Sequence, residues 1–285
     1  MKRKIVVLTG PTASGKTKLS IALARKINAE IICADSRIVY KNLDIVSAKP
    51  TQDEREGVVH HLIDIMEPDV EFSAGDFVSE ARKVLKNSDC NIIIAGGTWF
   101  YIKSLLDKKA LPECPRDFEK RKQLEALDNK TLWDKLNKLD ANRASLIHPN
   151  NKDKVIRSIE MCEYLKMPIS QYQRAENKDY EALWFMNDFE RDELYKRIDL
   201  RVDEMISLGL YDEWQRNVKC YPNSKVIENT IGYQEFFEYK DLNQATDKIK
   251  QHTRNFAKRQ LTYFKSRPDI IRVKNVNDIL KNLTC

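Results

Sequence analysis

The 285-residue chain is poor in glycine (8) and proline (9), has no long apolar run and pairs none of its cysteines in sequence. So little Gly and Pro excludes collagen-like and low-complexity classes. No stretch approaches the roughly 20 apolar residues of a membrane-spanning helix, so no membrane partner is expected. Met1-Lys2-Arg3-Lys4 imitates the basic start of a secretory leader, but the apolar run 5–8 is too short for a leader core and leads into Thr9-Gly10-Pro11. A cytoplasmic protein is the expectation. The six cysteines (33, 90, 114, 162, 220, 285) make no CxxC pair, and the four histidines make no HxxxH pair. Free thiols are therefore expected, without a disulfide framework or structural zinc.

What the chain does have is an ordinary globular composition, 42% hydrophobic and 32% charged, which excludes wholesale disorder. Its net charge of +6 is unevenly spread: residues 241–285 hold ten Lys/Arg against four Asp/Glu, and the first 240 hold 39 of each. A basic face for a polyanion near the C-terminal end is one reading of that excess; a solvated helix is the other.

Up to about residue 110 the pattern alternates between apolar strands and amphipathic helices. Strands are expected at 5–9, 31–34 and 91–95, with a possible short edge strand at 62–66. Helices are expected at 16–26 and, capped by Ser73, at 73–85. Strand, helix, strand at this spacing predicts an α/β fold, a parallel sheet flanked by helices. Leu111-Pro112-Glu113-Cys114-Pro115 then breaks the chain. Residues 113–190 read as an all-helical insertion, with helices at 117–127, 131–139 and 153–165. Long amphipathic helices at 190–219 and 243–265 and a final strand at 270–273 follow. The expected division is a core of 1–112 and 191–285 around an insertion of 113–190.

Gly10-Pro11-Thr12-Ala13-Ser14-Gly15-Lys16-Thr17 is a full GxxxxGK[ST] match between an apolar strand and a helix, where a phosphate-binding loop belongs. The glycines let backbone N–H groups converge on phosphate oxygens at the positive end of the helix. Lys16 adds a point charge, and the Thr17 hydroxyl suits Mg²⁺. A nucleoside-triphosphate enzyme also places an Asp at the end of a later strand. Here that strand ends in Gly96-Gly97-Thr98, and the acid at a strand end is Asp35. Ligands of open α/β sheets lie at the carboxyl ends of the strands, so Asp35 and Thr98 should stand near the loop.

At these residues the sequence resembles the tRNA dimethylallyltransferases. The likeness runs through GPTASGKT (10–17), ADSRIVYKNLDI (34–45), SAKPT (47–51), HHLIDI (60–65), FSAGDF (72–77), AGGTWFYIKSLL (95–106) and LIHPN (146–150). It continues through RDELYKRIDLRVDEM (191–205), IGYQE (231–235) and RNFAKRQLTYFKSR (254–267). The resemblance implies transfer of a dimethylallyl group from dimethylallyl diphosphate to N6 of the adenosine just 3′ of the anticodon (tRNA position 37). It implies that Gly10, Pro11, Thr12, Ala13, Ser14, Gly15, Lys16 and Thr17 bind the donor diphosphate with Mg²⁺. Asp35 becomes the general base, Thr98 lies beside it, and Lys16 and Arg201 meet the leaving group. Asp35, Ser36, Arg37, Ile38, Thr98, Asp153, Arg157, Arg254 and Lys258 become tRNA contacts, and the insertion helps hold the anticodon stem-loop. The protein is expected to act as a monomer.

An adenine amine is a weak nucleophile that a carboxylate can align and deprotonate. A departing diphosphate needs the preorganised cations. Trp99, Phe100 and Tyr101 are candidates either for the wall of a base channel or for helix core. Arg254, Lys258 and Lys265 share one side of the last long helix, and Ile249, Phe256, Gln260 and Phe264 the other. Four departures from the family pattern stand out: Val46-Ser47 for a Gly-Thr or Gly-Ser pair, Asn151 for Asp, Asp153 for Gln, and Trp99 for a small residue. The competing readings are a P-loop nucleoside or small-molecule kinase, an RNA-binding module without activity, and a prenyltransferase acting on free AMP.

Overall fold

The structure, a computed structural model, describes residues 3–106, 114–115, 117–172 and 180–283. The Leu111-Pro112-Glu113 break, with the expected boundary at 112, and the thiol of Cys285 lie outside the described residues.

Among the described residues six strands form one all-parallel sheet: β1 (Arg3–Thr9), β2 (Ala29–Cys33), β3 (His60–His61), β4 (Asn91–Gly96), β5 (Tyr180–Asn187) and β6 (Ile271–Val273), in the order β3-β2-β4-β1-β5-β6. The fold class is α/β, as the alternation of strand and helix predicts. β1, β2 and β4 are nearly unbroken apolar runs because a parallel sheet is covered on both faces. The two-residue period of the strands divides their side chains between two cores. Ile5, Val7, Ile32, Ile92, Ile94 and Trp184 face one side, where Phe77, Ala81 and Leu85 of α2 (Ala74–Asn87) and Ile102 and Leu105 of α3 (Trp99–Leu106) cover them. Val6, Leu8, Ile31, Ile93 and Phe185 face the other, under Leu19 and Leu23 of α1 (Lys16–Ile27). α2 opens with a reciprocal capping box between Ser73 and Asp76.

The described residues 114–115 and 117–172 belong to a separate compact unit. It holds α4 (Phe118–Glu125), α5 (Asn129–Leu139), α6 (Ala141–Ser145), α7 (Lys152–Leu165) and a 3₁₀ turn, Ile169–Gln171. Leu132, Leu136, Val155, Ile156 and Ile159 make its core. Asp117, Asp128, Asp140 and Asn151 cap its four helices through their side chains. Asn caps as well as Asp, so the Asn151 departure leaves this helix start intact.

The remaining helices are α8 (Arg191–Ser207), α9 (Leu210–Cys220), α10 (Lys225–Glu228), α11 (Gln234–Glu238), α12 (Leu242–Lys265) and α13 (Val276–Leu283). Three expectations are corrected. Residues 180–190 do not continue the helical insertion: Tyr180–Asn187 is β5, which pairs along all of β1 from Arg3↔Tyr180 to Thr9↔Met186. The edge strand is His60–His61 rather than 62–66, because Leu62 and Asp64 turn left-handed at φ 64° and 56°. The helix expected over 190–219 is two, since Gly209 at φ 92° ends α8 and begins α9.

Candidate active site

The loop between β1 and α1 is shaped by its glycines. Gly10 and Gly15 have φ 146° and 83°, where a β-carbon is strained, and Gly15 is the residue on which α1 starts. Ser14 N donates to the Pro11 carbonyl at 3.3 Å, and Asn187 Nδ2 at the end of β5 donates to the Ser14 carbonyl at 2.7 Å. The Lys16 ammonium curls back to the Pro11 carbonyl at 3.2 Å. Thr17, in the first turn of α1, is exposed.

The ends of β2 and β4 complete the arrangement. Asp35 Oδ1 accepts the Arg37 N–H at 2.9 Å, and Thr98 Oγ1 accepts the Ser36 N–H at 3.1 Å. Gly96 and Gly97 allow the two strand ends to meet. A β-carbon on Gly96 would lie 2.0 Å from the Ala34 carbonyl oxygen, and one on Gly97 would lie 2.3 Å from Gln260 Nε2. Gln260 of α12, only 5% exposed, accepts the Thr12 N–H at 2.9 Å and donates to the Gly97 carbonyl at 2.9 Å. A single side chain thus ties the phosphate loop to the Gly-Gly-Thr turn.

These groups line one cavity of about 430 Å³. Thr12, Ala13, Lys16, Asp35, Ser36, Arg37, Thr98 and Arg201 all contribute. Burial pushes the Lys16 amine down to about 8, against the pull of Asp35 and with the push of Arg201. Burial likewise lowers Arg201, while Asp35, Glu204 and Glu54 act to raise it. Two cations and one carboxylate sharing a confined space can hold a polyanion beside a proton acceptor.

The matching family description is IPP transferase, over residues 38–267. The chain belongs to the IPP transferase family. The tRNA dimethylallyltransferase of Staphylococcus carnosus is 41% identical over 94% of this chain and 90% of its own length, and that of Lachnoclostridium phytofermentans 42% over the same shares. A solved tRNA isopentenylpyrophosphate transferase from Bacillus halodurans superposes at TM-score 0.73 with 34% identity, covering 99% of this chain and 96% of that one. A eukaryotic dimethylallyltransferase, solved acting on tRNA, gives TM-score 0.81 at 27% identity over 95% of this chain and 74% of that one.

Not every expected residue reaches the cavity of this family member. Ile38 is 8% exposed and packs in the core beneath α1, so its side chain lies away from the cavity lining. Trp99 packs on Trp184 and Phe264, and Tyr101 stacks on Phe77 and donates to the Phe72 carbonyl at 3.0 Å. Phe100 is 58% exposed. None of the three lines the cavity. Arg254 is ion-paired with Asp199 of α8, and Lys258 is exposed outside the lining. In the helical unit, Arg157 donates to Glu160 at 3.0 Å and to the Cys114 carbonyl at 2.7 Å, and Asp153 accepts from Arg121 at 3.1 Å.

Sequence reasoning missed Gln260, Arg259, Phe256 and His252, which line the cavity from α12. The helical stripe puts Gln260 on the packing side of α12, where it lies, and its amide also bridges two loops. The signal available was the block RNFAKRQL itself, polar at positions that a helical stripe reserves for the core.

Proposed function

We propose that this chain transfers a dimethylallyl group from dimethylallyl diphosphate to N6 of the adenosine 3′ of the anticodon in tRNA and releases diphosphate. The observation that carries this reading is the convergence of Lys16, Asp35, Thr98 and Arg201 on one cavity, at which β4 ends in Gly96-Gly97-Thr98 rather than a carboxylate. The phosphate loop binds the donor diphosphate, and Lys16 and Arg201 stabilise the charge that grows on it as the carbon–oxygen bond breaks. Asp35 accepts a hydrogen bond from the adenine amine, aligns it and takes the proton it loses. Thr98 fixes the backbone beside Asp35 through the Ser36 N–H.

The donor set around Thr17 fits Mg²⁺. The exposed hydroxyl is a hard oxygen ligand, and no cluster of three or more His, Cys, Asp or Glu forms a metal cage among the described residues. Mg²⁺ keeps several waters and takes phosphate oxygens readily, so one protein hydroxyl suffices. When bound it shields the diphosphate charge. The same reading has the enzyme act on tRNA in the cytoplasm, as a monomer. No helix among the described residues is long and apolar enough to cross a membrane.

Incubation with labelled dimethylallyl diphosphate and Mg²⁺, offering tRNA, AMP or a nucleoside with ATP, tests the reading. Label should enter tRNA alone. Label in AMP, or sustained phosphoryl transfer from ATP, would overturn it.

A further inference from the structure

The cavity wall has two chemistries. Lys16, Asp35 and Arg201 are charged, whereas Val46, Val202, Met205 and Ile249 offer only apolar side chains. Bases, sugars and phosphates lose hydrogen bonds against such a surface, and a hydrocarbon does not. Among the ligands of the proposed reaction, the one part without a polar atom is the five-carbon chain of the donor.

Val46 differs from the other three in standing on a loop, and that loop is anchored to a buried carboxylate. Glu213 of α9, 3% exposed, accepts the N–H groups of Asp44 and Ile45 on Oε2 at 3.0 and 2.7 Å. Its Oε1 accepts the Val46 N–H at 3.0 Å and the Tyr233 hydroxyl at 2.6 Å. Tyr233 is fully buried, and Asn217 Nδ2 donates to its oxygen at 3.1 Å and to the Asn42 carbonyl at 2.7 Å. The side chain of Val46 is confined as well. Its Cγ2 lies 2.8 Å from where a β-carbon would stand on Gly232, a residue at φ 101°. A β-branched side chain has few rotamers to escape into. The result is a rigid apolar stop on the cavity wall.

We infer that Val46, standing where the resembled family carries Gly and held in place through Glu213, shortens the space open to the prenyl chain and makes this cavity more selective against longer chains than a glycine there would. The inference rests on the activity proposed above.

The test compares wild type, Val46→Ala, Val46→Gly and Val46→Ile with tRNA and either dimethylallyl diphosphate or the ten-carbon geranyl diphosphate. Opening the wall should raise the geranyl-to-dimethylallyl ratio of kcat/KM by about tenfold or more in Val46→Gly, with Val46→Ala between, the scale on which one methylene is discriminated in an apolar pocket. Val46→Ile adds a carbon to the same wall and should raise KM for dimethylallyl diphosphate while KM for tRNA stays at its wild-type value. This variant keeps the inference testable if the smaller ones unfold. A ratio within twofold of wild type in every folded variant, or a change confined to KM for tRNA, would overturn the role of Val46. Failure of the wild-type protein to transfer from either donor would instead overturn the activity on which the inference rests.

Discussion

At the residue scale, the cavity divides its labour between a proton acceptor and two cations, and each makes a different prediction. Asp35→Asn keeps the size of the side chain and can still accept a hydrogen bond, but it cannot take a proton at neutral pH. Single-turnover rates with saturating tRNA and donor should fall by about 10²–10⁴-fold, with both affinities within about tenfold of wild type. Retention of a third of the rate would remove Asp35 from the role of base. Lys16 makes a prediction about pH. Its amine titrates near 8 in the free protein because burial disfavours the charged form, and diphosphate favours that form. As pH rises through about 8 the amine loses its proton and its attraction for the donor, so donor affinity should fall between pH 7 and 9.5. Binding above pH 8 should take up a proton, visible as a dependence of the calorimetric heat on buffer ionisation. Lys16→Arg keeps its charge across this range and should flatten the profile. A wild-type affinity that is level across the range, together with an unchanged affinity in Lys16→Ala, would show that Lys16 does not meet the diphosphate.

At the scale of elements, the close approach of β2 and β4 is the feature most sensitive to sequence. Gly96→Ala would drive a β-carbon to 2.0 Å from the Ala34 carbonyl oxygen, which is backbone and cannot rotate away. We expect a loss of about 3 kcal/mol or more in urea unfolding, the scale of severe overpacking. A loss below about 1 kcal/mol would mean that the strands separate easily. The elements that could be read from sequence are those whose pattern is local. The loop at 10–17, α1 and β4 each announce themselves by periodicity or motif, and Asp35 and Thr98 follow from the rule that sites gather at strand ends. β5 is not legible as a strand, because its residues 182–186 form a short apolar run, which periodicity alone does not separate from buried helix. Its partner β1 lies far away in sequence, and the pairing becomes visible only in three dimensions. Gln260 escaped for a related reason: a polar residue on the buried side of α12 has no meaning until the two loops it bridges are seen.

At the scale of the whole molecule, the basic excess of the last 45 residues is only partly available to a polyanion. Arg254 is engaged by Asp199 and Lys250 by Asp203, whereas Lys258 and Lys265 are exposed. Replacing Lys258 and Lys265 with Gln should lower the log–log salt slope of tRNA binding by roughly 0.7–0.9 each, if each meets one phosphate. Arg254→Gln should loosen the packing of α12 on α8 and leave the slope nearly unchanged. An unaltered slope in the lysine variants would mark that face as solvated only. The Gln260 bridge also bears on how the protein is made. The phosphate loop is among the first segments to leave a ribosome, yet the amide that ties it to the Gly-Gly-Thr turn comes some 250 residues later, Thr12 and Gln260 being 248 apart. At translation speeds of roughly 5–20 residues per second the nascent chain carries its nucleophile-handling residues for many seconds before the site can close. A chain stalled before α12 would hold Lys16, Asp35 and Arg201 but lack the amide that ties the phosphate loop to the Gly-Gly-Thr turn, so a truncated product is expected to transfer no dimethylallyl group.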